Sequence, residues 1–479
     1  MLKNAIPRVM LGYFLIFITI ACAQFVLFAF MQHISPAYFL AAVLWIALLF
    51  WGAQRIPVQR AWLIFGLLGL ISKLIWIIFV PSPAVSDYAL MFNSAQEIVN
   101  GEQAYLDNIY YKRFPYQLGF TTYQALLLSI VNSVTFVKIV NVMWCVVASL
   151  AVYGIARRCY SQRVAVFALL LHVTLLPILV MSSVLTNQHI AVAWFYIGIY
   201  LWLKAGWRSW WLAAAAGAAL AIGNIMRPIG IVILAAIAVN AAIRLLYQPV
   251  RRTWIEASRV LVTAGSYGVV LLLASYLLIQ TGISPDGLRN NDPLWKFVAG
   301  LNAEMNGSYS QADEKLLNYG YMDPVERTER EKVIIVERLT SIRNMIKLPF
   351  VKIGKMWADF QADWFTFPQK SGTTFQYLGH PLEFDEVITR YRHFERAVFY
   401  VLAVAAFAGI IRLFRQEFAT NDQARLLMLI IGAYTFVHLL VEVQSRYMYF
   451  MFGILLIFSA HTLLLWTDRL RERWRTTNK

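Results

Sequence analysis

The chain has 479 residues, 59% of them hydrophobic and only 14% charged, with a net charge of +16 and a mean hydropathy of +0.58. A soluble globular domain cannot hide that much apolar surface, so the composition points to a protein with many segments in a bilayer. The three cysteines, Cys22, Cys145 and Cys159, fall in two expected spans and one basic loop, which provides neither a disulfide framework nor a zinc cluster.

Apolar stretches of roughly 17–25 residues, long enough to cross about 30 Å of hydrocarbon as helices, recur along the sequence. In chain order they predict spans over 9–31, 36–52, 61–80, 136–156, 164–182, 187–204, 210–224, 228–246, 258–281, 396–413, 425–442 and 447–467, about 12 in all. The first is too long for a signal-peptide core and has no small-residue cleavage site, so it is read as a retained span. The fold class expected is an all-α polytopic membrane protein with helices in its outer loops.

Basic residues fall on alternate connections: Lys3 and Arg8, Arg55 and Arg60, Arg157 to Arg163, Lys204 and Arg208, Arg244 to Arg259, Arg412 and Arg415, and the tail from Arg469. Short basic loops mark the cytoplasmic side, so both termini are expected in the cytoplasm of a multi-pass cell-membrane protein. The positive charge is then a topology signal with some anionic-lipid contact, and gives no reason to expect nucleic acid. Counting Thr121 to Val131 as a span would invert the Arg157 to Arg163 cluster, so that segment is expected to be an outer interfacial helix. The chain divides into N-terminal membrane helices (1–80), an outer loop (81–135), a membrane core (136–281), an extracytoplasmic insert (282–395) and C-terminal membrane helices with a basic tail (396–479).

No Walker loop, dinucleotide fingerprint or Cys-His metal spacing is present. Chemistry concentrates in the outer loop, in Ser86-Asp87-Tyr88 and again from Tyr110 through Lys112-Arg113-Phe114-Pro115-Tyr116-Gln117. Asp87 stands just past an apolar helix, where a carboxylate can take a proton from a hydroxyl. The plainer reading makes it a cap for the helix that follows. Further on, Asn224-Ile225-Met226-Arg227-Pro228 and Glu442-Val443-Gln444-Ser445-Arg446-Tyr447 put arginines at expected outer boundaries. The plainer reading pairs Arg446 with Glu442 one turn earlier on a helix and leaves Arg227 as an interfacial side chain.

These motifs, in this order and on one side, resemble the GT-C glycosyltransferases. That group of polytopic enzymes takes a sugar from a polyprenyl-phosphate carrier and includes protein O-mannosyltransferases and the lipid A aminoarabinose transferase. Asp87 matches the family's acidic position in its first large outer loop, and Lys112-Arg113-Phe114-Pro115 resembles its basic-proline element. Arg-Phe-Pro stands here for the family's Lys-Pro-Pro, so the role falls on Lys112 or Arg113, and Asp87 follows the third span rather than the first. The resemblance implies a polyprenyl-phosphate-linked sugar as donor and a cell-envelope acceptor, on the outer face of a bacterial cytoplasmic membrane. A lipid phosphate at the interface needs cations held at that depth, and a guanidinium pairs with two phosphate oxygens. Asp87 is then the expected base, Lys112 or Arg113 with Arg227 and Arg446 the phosphate ligands, and Tyr88, Gln117 and Glu442 their support. No cofactor is required, although the carboxylates near Asp87 leave a divalent metal open.

In the insert, Pro324 to Ile346 has helical charge spacing, and Met345 to Phe360 reads as an amphipathic helix on the membrane face. Trp295-Lys296-Phe297, Asn302, Asn306, Asp313, Asp359, Asp363 and Trp364 supply the aromatic and amide mixture of sugar sites. Lys73, inside a span, is expected to snorkel or to pair with Asp87, and His172 to be a hydrogen-bonded interior residue. Two rival functions remain: a flippase or exporter of lipid-linked saccharide, which should line a path through the membrane with polar groups, and a polysaccharide polymerase.

Overall fold

The structure is a computed structural model that describes residues 2–206, 209–247, 253–319, 321–367, 372–377 and 380–477. Helices make up nearly all of it. They are α1 Leu2–Met31, α2 Pro36–Arg55, α3 Val58–Phe79, α4 Asp87–Asn100, α5 Ile109–Arg113, α6 Leu118–Ile130 and α7 Val134–Cys159. Next come α8 Gln162–Thr174, α9 Leu176–Met181, α10 Gln188–Ala205, α11 Trp210–Met226, α12 Gly230–Tyr247 and α13 Thr253–Gln280. The insert holds α14 Trp295–Gly300, α15 Gln311–Leu317, α16 Pro324–Thr340, α17 Ile342–Ile353 and α18 Ala362–Thr366, and the chain closes with α19 Phe384–Arg412, α20 Asp422–Leu440 and α21 Phe452–Thr477. The one sheet among the described residues is an antiparallel pair, β1 Thr374–Tyr377 with β2 His380–Glu383, in which Thr374 faces Glu383.

Among the described residues nine helices are long and apolar enough to cross a membrane, fewer than the 12 spans expected. The chain is an all-α polytopic membrane protein, and the three segments outside the nine depart for physical reasons. The stretch 164–182 splits into α8 and α9, because Pro177 has no N–H with which to continue the helix and its ring crowds the preceding turn, whereas near the start of α9 neither matters. Leu175 takes an extended conformation between the two helices. Helix α10 opens on Gln188 and His189 and is enclosed on nearly every side, chiefly by α11 and α7. Helix α11 is 17 residues rich in alanine and glycine, and its small side chains let α10 and α13 approach closely. Large apolar side chains point outward on the outer helices, Phe30 being 77% exposed and Leu272 72%. Such a surface is at rest against hydrocarbon, not water.

The expected basic connections gather at one end of the bundle. There the Tyr247 hydroxyl donates to the Lys3 carbonyl at 2.8 Å, Asn421 Nδ2 to the Cys159 carbonyl at 3.1 Å, and Arg471 to Gln54 Oε1 at 3.0 Å. The outer loop, the insert and the segment after α20 meet at a different end. Tyr116 N donates to the Arg289 carbonyl at 3.1 Å, Asn291 N to the Arg113 carbonyl at 3.2 Å, and Glu442 N to the Lys296 carbonyl at 2.8 Å. Helix α6, with 13 residues, is about 20 Å long and too short to cross the hydrocarbon; it packs on α4. In the insert the expected helical stretch breaks at Ser341, whose side chain caps α17 by accepting from Asn344 N.

Candidate functional site

Asp87 is placed by the short segment that leaves α3. Lys138 Nζ, in α7, donates to the Ser82 carbonyl at 2.7 Å, and the Ser82 and Ser183 hydroxyls meet at 2.6 Å. Ser86 is then forced to φ +54°, a conformation that costs a residue with a side chain about 1–3 kcal/mol and tends to collect at functional sites. Ser86, rather than Asp87, occupies the cap position of α4, and its side chain makes no capping bond. Asp87 is the first helical residue. Among the described residues its carboxylate accepts no hydrogen bond, so the capping reading does not describe it.

The two arginines are held from the break between α9 and α10. Irregular backbone at membrane depth is tolerated where it lines a cavity, and here it brings a run of polar side chains inward. Asn187 Nδ2 donates to the Met226 carbonyl at 3.0 Å, while its Oδ1 accepts from Arg227 Nη1 at 3.2 Å. The neighbouring Gln188 donates to the Arg446 carbonyl at 3.2 Å, and the Thr186 hydroxyl donates to the Tyr88 hydroxyl at 2.8 Å. Arg227 lies over Tyr447, 4.8 Å from the ring centre, and Arg446 lies over Phe365 and Tyr88 at 4.7 and 5.2 Å. Neither arginine forms an ion pair among the described residues, and the buried Nε of Arg446 has no hydrogen-bond partner.

Glu442 does not pair with Arg446 along a helix, because α20 ends at Leu440 and the chain turns before Arg446. Its carboxylate accepts from Lys296 Nζ in the insert and from Gln444 Nε2 at 2.8 Å. Burial alone would raise its pKa, but the Lys296 ammonium and the Gln444 amide outweigh burial and hold it down at about 2. In the sequence Lys296 stands out only as the centre of the aromatic triplet Trp295-Lys296-Phe297. Close approach of insert and membrane helix is possible because residue 300 is glycine: a Cβ there would fall 2.2 Å from the Val441 carbonyl carbon.

These groups line one cavity of about 970 Å³. Asp87, Tyr88, Gln117, Arg227, Glu442 and Arg446 all reach it, together with Lys296, Tyr116, Tyr447 and Arg289, the last of which no sequence motif marks. The opposite wall is apolar, built by Ile229, Ile231 and Val232 at the start of α12 and by Leu271, Leu272 and Ile279 of α13. Ile231 and Leu272 are also exposed on the outside of the bundle, so the wall continues into the lipid-facing surface. The signal for the polar break was present in the sequence as Thr186-Asn187-Gln188-His189 between apolar stretches, whereas nothing local marks Lys296 or Arg289.

The remaining residues singled out in the sequence lie away from the cavity. Lys112 and Arg113 do not line the cavity. Lys112 pairs with Asp107 at 3.4 Å on the surface, and the buried Arg113 is taken up by Asp292 and Glu314 while stacking 4.0 Å from the Trp295 ring centre. Arg113 therefore fastens the outer loop to the insert. Lys73 donates to the Val173 carbonyl at 3.1 Å rather than pairing with Asp87, and His172 meets the Ser149 hydroxyl at 2.8 Å as an interior hydrogen-bonded residue. In the insert, Asp313 is held by Arg338 and Asn302, Asp363 by Arg392, and Asp359 by Arg396, so these carboxylates serve its packing. Among the described residues no three His, Cys, Asp or Glu side chains come together as metal ligands.

No protein-family model and no curated protein matches the chain. Solved structures do. The archaeal oligosaccharyltransferase AglB from Archaeoglobus fulgidus, in complex with an inhibitory peptide and a dolichol-phosphate, superposes with a TM-score of 0.51 at 14% identity, covering 88% of this chain and 52% of that one. The oligosaccharyltransferase of the same organism gives a TM-score of 0.45 in its apo form, at 13% identity over 88% and 52% of the two chains. Its complex with Zn and sulfate gives 0.47, at 13% identity over 85% and 50%. The chain thus spans about half the length of the structures it matches. The likeness shows that the chain shares its fold with the corresponding half of the archaeal oligosaccharyltransferase AglB.

Proposed function

We propose that this chain is a membrane glycosyltransferase that moves a sugar from a polyprenyl-phosphate-linked donor to an acceptor at the outer face of the membrane. The observation that carries the reading is the single cavity in which an unengaged carboxylate faces two arginines without acidic partners, beside an apolar wall open to lipid. Of the three carboxylates on the cavity, Glu442 is held by Lys296 and Asp286 accepts from Asn291 at 2.9 Å, which leaves Asp87 free to take a proton. The donor's tail would lie along the apolar side of the cavity built by α12 and α13; AglB, which shares the fold, was solved with a dolichol-phosphate.

In the reaction the Asp87 carboxylate accepts the proton of the acceptor hydroxyl as that oxygen attacks the anomeric carbon. The bond from the anomeric carbon to the phosphate oxygen breaks in the same displacement, with inversion, and its electron pair leaves on the lipid phosphate. Arg227 and Arg446 stabilise that growing charge from fixed positions, where desolvated donors act most strongly. Lys296, a further cation on the cavity beside Arg289, brings its own counter-ion in Glu442. A flippase would need a polar path between both faces; the interior Lys73 and His172 are instead closed off by hydrogen bonds, which favours transfer.

The test is Asp87→Asn in purified protein that keeps its thermal stability and its donor affinity. Loss of general-base help typically slows turnover about 100- to 10,000-fold. Near-normal transfer by the variant would remove Asp87 as the base, and parallel assays with a chelator separate a base from a metal ligand.

A further inference from the structure

We infer that Lys352 is a positioning residue for the transfer site, a clamp that fixes the segment carrying Glu442 and Arg446 against the insert. The inference rests on the proposed transferase reading. Lys352 lies in α17 and is 1% exposed. Its ammonium donates to three backbone carbonyls: Gly300 at 2.8 Å, Leu439 at 2.9 Å and Val441 at 2.8 Å. Gly300 is the last residue of α14, Leu439 lies in the last turn of α20, and Val441 is its C-terminal cap. Carbonyls at helix C-termini have no partner within the helix and carry partial negative charge, so two helix ends converge on one cation. An ammonium has three N–H groups, and here each has an acceptor.

The clamp borders the site on both sides. Lys296 precedes Gly300 by one helical turn in α14, and its carbonyl accepts from Glu442 N at 2.8 Å, the residue after Val441. Val443 N in turn donates to the Gly307 carbonyl at 2.9 Å. Gly307 has φ +74°, and a Cβ there would fall 2.8 Å from the Lys352 stem, so a glycine makes room for the lysine to reach through. With the ammonium gone, three buried carbonyls lose their donor and the register of α14 against residues 441–446 is no longer fixed. Arginine is a poor substitute, since a planar fork does not match three carbonyls around a point.

The experiment compares wild type with Lys352→Met, and with Ile410→Ala as a control destabilised in the core away from the cavity. Amide hydrogen exchange is read at Glu442 and Val443, and transfer is assayed with a polyprenyl-phosphate sugar. The expected result for Lys352→Met is at least tenfold faster exchange at these two amides, unchanged exchange in α10, and a donor KM raised about tenfold or more. The Ile410→Ala control should lose stability without a change in donor KM. Unchanged exchange at Glu442 and Val443 in folded Lys352→Met overturns the inference, as does a donor KM that moves no more than in the control. If the Met variant does not fold, Lys352→Gln, which keeps an N–H donor on a shorter stem, takes its place; failure of both to fold makes Lys352 a requirement of the whole fold and overturns the inference. Should wild type transfer no sugar, the transferase reading fails, while the exchange measurement still decides the clamp.

Discussion

At the scale of single residues, the site turns on which charges are already spent. Arg113 and Glu442 are both buried beside opposite charges and are committed to holding the structure. Arg227 and Arg446 are buried or half-buried against aromatic rings and, among the described residues, form no ion pair, an arrangement that costs stability unless an anion completes it. Arg227→Ala and Arg446→Ala are each expected to weaken donor binding about 10- to 100-fold, as befits a charge-assisted hydrogen bond of about 1.5–3 kcal/mol. Arg→Lys should do less harm, since it keeps the charge and loses the fork. The check is donor affinity measured directly on folded protein; unchanged affinity in both alanine variants removes the arginines from the site. Neither state of engagement is written in the local sequence, because the partners of Arg113 and Glu442 lie 179 and 146 residues away.

At the scale of elements, the site exists because helices stop where long apolar stretches suggest they continue. Pro177 breaks the span at α8 and α9, and the chain re-enters with Asn187 and Gln188 turned toward Arg227 and the Arg446 carbonyl. Close approach then depends on small residues. A Cβ at Gly119 in α6 would sit 2.7 Å from the Ile225 carbonyl oxygen, two residues before Arg227. Gly119→Ala should therefore push α6 off the end of α11, lowering stability by about 1–3 kcal/mol, as overpacking does. Because Arg227 moves with that turn, donor affinity should fall as well, and a thermal melt with a binding titration reads both. A variant with unchanged melting and binding would mean that the helices separate without disturbing the turn.

At the scale of the whole molecule, the basic connections gather at one end of the bundle, and the insert, outer loop and cavity share another. The alternating arginines predict that the cavity end faces outside. Reporters fused after Asn100 and after Gly307 should read outside, and one after Arg163 inside. An outside reading after Arg163 would make α6 a membrane span and invert everything downstream. The sequence by itself determined the class of fold, the apolar lengths of nearly every helix and the alternation of charge, since hydropathy and helix length are local quantities that the bilayer reads directly. It also marked Asp87, Arg227, Glu442 and Arg446 through short motifs that stand where apolar stretches end. Only the tertiary structure decided which of these groups share a cavity, that Lys296 reaches Glu442 from the insert, and that Arg113 is spent on Asp292. Hydrogen bonds and ion pairs between residues far apart in the chain depend on how the helices pack, which no local pattern encodes.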